Sequence, residues 1–142
     1  MRLKVIKMIG VAVCLLCFAA PANVGAQALP EQQVLSGPGG QFYGYLTPVV
    51  VVEKKGKLAY SNADILQHDV VHDARADGVY GPSKKRWCKA FRKRKCPVFW
   101  SKRAGLGQTV PVLGLGAVKP GQTYTFFCTL HPGMKGTLVV AP

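Results

Sequence analysis

Histidine is scarce in this sequence: His68, His72 and His131 are the three among 142 residues. Three imidazoles without a second His cluster are too few for a multinuclear metal centre of the kind large oxidases use, which ranks that class low. Acid is scarce too. Six Asp and Glu stand against nineteen Lys and Arg, a formal net charge of +13. No acid at all lies between residues 84 and 103, where ten of those Lys and Arg are gathered. Beyond the first 28 residues there is no apolar run at spacing three and four, which argues against a helical fold. The apolar run at 9–20 is too short and wrongly flanked to span a membrane. No internal repeat is present, which excludes a solenoid or array.

The start of the chain reads as a secretory signal. Arg2, Lys4 and Lys7 form a positive region, residues 9–20 an apolar one, and Ala26-Gln27-Ala28 a small-residue cleavage site. Val24-Gly25-Ala26 is a second cleavage candidate, so the mature chain begins at Gln27 or Leu29. An uncleaved N-terminal anchor is the alternative. Val13 and Leu16, which precede Cys14 and Cys17, are bulkier than lipoprotein processing takes, so no lipid anchor is expected. The expected division is a signal at 1–28 and one domain at 29–142, with a basic insertion near 74–105. The expected location is periplasmic or secreted. Loss of the leader takes away three positive charges and no acid, leaving a net charge of about +10.

Removal of the leader also reduces five cysteines to three: Cys88, Cys96 and Cys128. Export favours disulfides. Cys88 and Cys96 are close enough in the chain for a hairpin or loop to close them. Their pairing leaves Cys128 alone, and an odd thiol in a secreted protein needs an explanation. A different pairing, or a free buried thiol, is the plainer one.

The neighbours of Cys128 offer another. In Cys128-Thr129-Leu130-His131-Pro132-Gly133-Met134 a thiol, an imidazole and a thioether fall within seven residues. A soft ligand set of this kind is what copper prefers, and zinc rarely takes a thioether. A thiolate with two imidazoles and a weak axial Met is the blue-copper electron-transfer arrangement. Pro132 and Gly133 give the loop one fixed and one free φ. The second imidazole must come from His68 or His72, and periodicity alone does not decide between them.

Short aromatic and β-branched runs with turn residues between them predict strands at 43–52 (bent at Pro48), 57–61, 68–73, 109–115, 124–128 and 137–140. Residues 29–40 read as a loose lead-in and 74–83 as loop. Short strands at regular spacing, in about 115 residues, point to a sandwich or barrel.

Two stretches resemble one family. Residues 124–140, YTFFCTLHPGMKGTLVV, are similar to the C-terminal signature of the cupredoxins, small type-1 copper proteins of the plastocyanin, azurin and amicyanin kind. Residues 62–71, NADILQHDVV, resemble the first His motif of that family, an Asn followed by His-Asn/Asp-Val. The short Cys-x-x-His-x-x-Met spacing is similar to that of amicyanin. The resemblance covers residues 43–71 and 109–142 and leaves out 74–105, which is longer and more basic than expected. It implies an all-β Greek-key sandwich of eight strands with one copper at one end. It also implies His68, Cys128 and His131 as strong ligands and Met134 as the axial one. Asn62 is implied as a residue that ties the two ligand segments together near the Cys sulfur; a simple turn role is the alternative.

The function expected from this is a one-electron carrier, not an enzyme, working as a monomer with His131 as electron exit. The alternative is copper storage or delivery, or envelope binding, on the same fold. The expected partner is an acidic redox protein, a cytochrome or a dehydrogenase or oxidase, docked at the basic 84–103 segment. An anionic membrane surface is a second possibility, and a solvated loop that only aids solubility a third. Export argues against nucleic acid.

Overall fold

Alternation along the chain decides which strands line the core. In β2 (Val49–Val52) the pattern is exposed, buried, exposed, buried, and in β8 (Lys135–Val140) Gly136, Leu138 and Val140 point inward. A strand gives every second residue to one face, so four valines in a row supply only two to the core. The computed structural model describes residues 32–82, Cys88 and residues 96–142. The signal and its cleavage sites, and Lys84 to Lys95 apart from Cys88, lie outside the described residues.

Among the described residues eight strands form one sheet: β1 (Gln32–Ser36), β2, β3 (Leu58–Asn62), β4 (Val71–His72), β5 (Trp100–Ser101), β6 (Thr109–Leu113), β7 (Thr123–Phe127) and β8. Their spatial order is β1-β3-β6-β5-β4-β7-β8-β2, which curls toward a barrel. β1 pairs with β3 and β2 with β8 in parallel; the remaining pairs are antiparallel. The core between them holds Val34, Tyr60, Phe99, Tyr124, Phe126 and Leu138, all essentially without solvent contact.

The strand expected at 43–52 is confined to Val49–Val52, and the one expected at 68–73 to Val71–His72. Residues 32–36 are a strand, not a lead-in: Val34 and Ser36 are buried, and the parallel pairing with β3 supplies the hydrogen bonds. Residues 74–77 form a one-turn helix rather than loop, α2 (Ala74–Asp77). Asp73 caps it by accepting from the Arg75 and Ala76 N–H groups, and Gly78 ends it in the left-handed region at φ 66°. Another short turn of helix, α1 (Gly40–Tyr43), follows β1. Cys88 and Cys96 are joined in a disulfide, with Cα atoms 5.2 Å apart. Among the described residues no helix is long and apolar enough to cross a membrane.

One close contact fixes the register of the last hairpin. Gly136 faces Phe126 across β7 and β8, and a Cβ there would lie 2.3 Å from Phe126 Cζ and 2.9 Å from the Pro48 carbonyl. Only glycine leaves room for the Phe126 ring at this position.

Candidate metal centre

The ligand loop is built by its own main chain. β7 ends at Phe127, and Cys128 follows with its side chain on the core face. The Cys128 N–H donates to the Met134 carbonyl at 3.0 Å. The Met134 N–H donates to the His131 carbonyl at 2.9 Å, and the His131 N–H to the Cys128 carbonyl at 3.3 Å. The three loop residues with candidate donor atoms are thus bonded to one another through backbone, and the loop closes as a small ring. β8 begins directly after Met134 and holds the far end.

His68 arrives from the other side of the fold. It forms an isolated bridge with Ala104: its N–H donates to the Ala104 carbonyl at 3.2 Å and its carbonyl accepts the Ala104 N–H at 2.9 Å. This brings the His68 ring against the loop. His68 Nδ1 lies 3.7 Å from Cys128 Sγ and 3.0 Å from His131 Nδ1, and Cys128 Sγ lies 3.6 Å from His131 Nδ1. A triangle with these sides has a centre about 2 Å from each corner, the length of an imidazole nitrogen bond to a first-row metal ion. His68 and Cys128 are fully buried and His131 is half-buried. Met134 is fully buried, and its Cε lies 3.3 Å from where a Cβ on Gly40 would be.

The donor atoms themselves test the fit. His68 Nε2 lies 3.1 Å from Asp64 Oδ2, while Nδ1 faces Cys128 and His131. Two inward nitrogens and a sulfur that converge within hydrogen-bonding distance need a shared cation or a proton among them. A thiolate, two imidazoles and a nearby thioether fit one copper ion better than zinc, calcium or magnesium. Burial pushes the Cys128 thiol up, helped by the Asp69 charge; backbone N–H donors of Asp69, Leu130 and His131 pull the other way. A bound cation reverses the balance, because a coordinating thiol is deprotonated.

His72 is elsewhere. Its Nε2 lies 3.0 Å from Asp77 Oδ2 and its Nδ1 accepts the Val98 N–H at 3.0 Å, so both ring nitrogens are taken. The chain between His68 and His72 is not one continuous strand, which is why two positions of equal parity diverge.

Asn62 is buried and makes a different set of bonds from the tie described above. Its Oδ1 accepts from Ser36 Oγ at 2.7 Å and the Asp64 N–H at 2.9 Å. Its Nδ2 donates to the Leu66 and Ala104 carbonyls at 2.7 and 2.8 Å. Asn62 therefore shapes the turn that carries His68. The direct link between the two ligand segments is Asp69, whose carboxylate takes the N–H and the hydroxyl of Thr129. Asp64 and Asp69 both sit inside the His68 motif, but a carboxylate beside a histidine gives no sequence sign of which donor it will meet.

Solved structures carry the same architecture. A purple cupredoxin from Nitrosopumilus maritimus superposes with a TM-score of 0.54 at 13% identity, over 78% of this chain and 99% of that one. The chain has the cupredoxin fold. Amicyanin from Paracoccus versutus matches at a TM-score of 0.51 and 17% identity, over 80% of this chain and 83% of that one. The Cu(I) form of a single-residue amicyanin variant matches at 0.51 and 18%, over 80% and 84%. No protein-family model matches the sequence, and no curated protein matches it in sequence. Within the cupredoxin fold, the His68, Cys128, His131 and Met134 cluster lies where β7 opens into the loop before β8.

Proposed function

We propose that this protein is an extracytoplasmic one-electron carrier that holds one copper ion at His68, Cys128, His131 and Met134. The observation that carries the reading is the convergence of Cys128 Sγ and the two Nδ1 atoms within 3.7 Å of one another. Copper bound there supplies a Cu(II)/Cu(I) couple. The protein's part is to keep the donors still between the two states, and the main-chain ring from Cys128 to Met134 does that.

His131 is the half-buried ligand and stands beside the exposed Leu130, Pro132 and Gly133, so it is the exit for the electron. No substrate is transformed. The partner is an acidic redox protein, drawn by a chain with no Asp or Glu after Asp77. Lys102 and Arg103, the described end of the basic segment, are exposed. The Cys88–Cys96 disulfide supports an oxidising compartment outside the cytoplasm.

Voltammetry of the copper-loaded mature protein tests this. A reversible one-electron wave, lost in Cys128→Ser, is the expected result. Preferential Cu(I) binding without a reversible wave would mean a storage or delivery protein instead.

A further inference from the structure

Asp64 is an acid with 2% of its surface exposed. Among the described residues, the basic group within 4.0 Å of its carboxylate is the His68 ring. Its Oδ2 lies 3.1 Å from His68 Nε2 and accepts the Gly40 N–H at 2.9 Å; its Oδ1 accepts the Leu66 N–H at 3.3 Å. The carboxylate cannot swing away. The Asp64 N–H is fixed to Asn62 Oδ1, which the Ser36 hydroxyl holds in turn. Gly40 brings α1 close because it has no side chain: a Cβ there would sit 3.3 Å from Met134 Cε and 3.5 Å from His68 Nε2.

We propose that Asp64 is a positioning residue for His68, fixing the ring with its proton on Nε2 and Nδ1 toward the metal, and biasing the bound copper toward Cu(II). This rests on the copper reading given above. The chemistry has two parts. An N–H held by a carboxylate sets the tautomer, which leaves the opposite nitrogen as the lone pair. A fixed negative charge one imidazole away favours the more highly charged ion. A backbone carbonyl would do the first and not the second. Burial raises the cost of the charge, and three N–H donors aimed at it offset that cost.

Two readouts test the proposal. In the metal-free mature protein, long-range nitrogen–proton spectra should show the His68 proton on Nε2, and Asp64→Ala should give a mixture of tautomers. A wild-type His68 protonated on Nδ1 overturns the proposal. In the copper-loaded protein, Asp64→Asn keeps size and an acceptor oxygen but removes the charge. Its midpoint potential should rise by about 59 mV, a tenfold shift in relative Cu(I) over Cu(II) affinity for a one-electron couple. Asp64→Glu should restore most of that shift. An unchanged potential in an Asp64→Asn protein of wild-type melting temperature overturns the proposal. The tautomer arm needs no copper, so failure of the metal to bind would end the functional reading and still leave Asp64 to be decided.

Discussion

Asp69 Oδ1 accepts the Thr129 N–H at 2.7 Å, and the other oxygen of the same carboxylate takes the Thr129 hydroxyl. Asp69 is the residue after His68, and Thr129 is the residue after Cys128. The spacing between the first imidazole and the thiol is therefore set by a bond between their chain neighbours. Hydrogen bonds to a charged group contribute about 1.5–3 kcal/mol each, so Asp69→Ala should lower the stability of the metal-free protein by at least about 2 kcal/mol. Asp69→Asn keeps one acceptor and should cost about half as much. Urea unfolding followed by tryptophan fluorescence reads both.

His72 makes stability depend on pH. Burial holds its pKa below the ordinary 6.5, against the opposing pull of Asp77. The unfolded chain then binds a proton that the folded one refuses. The contribution is complete above about pH 6.5 and is lost as pH falls from there toward the folded value. His72→Gln should flatten that part of the curve relative to wild type. Unfolding free energies of the two proteins between pH 5 and pH 8, both metal-free, should converge at the acid end.

Gly136 tests the packing of the last hairpin. Alanine there drives a methyl group into Phe126 and the Pro48 carbonyl. Overpacking of a filled core costs about 1–3 kcal/mol. Gly136→Ala should melt several degrees below wild type in calorimetry, and trimming Phe126 to Leu in the same chain should recover part of the loss.

Electron exchange with an acidic partner should slow as salt rises. The Debye length falls from about 10 Å at 0.1 M to about 3 Å at 1 M, which screens the field of a strongly basic chain. Stopped-flow rates against ionic strength measure it, and reversal of Lys102 and Arg103 to Glu should remove part of the slope.

The ligand loop is legible in the sequence because its donors are local: Cys128, His131 and Met134 need only one turn of chain to meet. The strands β7 and β8 are legible because half-buried strands alternate; β3 is buried nearly throughout and is legible from Leu58 and Tyr60 between two turns. β1 is not, since Gln32-Gln33-Val34 carries little apolar pattern and becomes a strand through pairing with distant β3. Resemblance to a motif favours His68 over His72, and the physical reason is tertiary: Ala104 bridges one, while Val98 and Asp77 occupy the other. The roles of Asp64 and Asp69 are illegible for the same cause. Each is defined by a donor from another segment, Gly40 for one and Thr129 for the other.

Addition of Cu(II) to the mature metal-free protein, followed by visible absorption and EPR, tests the central claim most directly. The account predicts saturation at one ion per chain, an intense thiolate-to-Cu(II) band, and loss of that band in Cys128→Ser. A colourless Cu(II) complex, or a spectrum indifferent to the loss of the Cys128 sulfur, would contradict it.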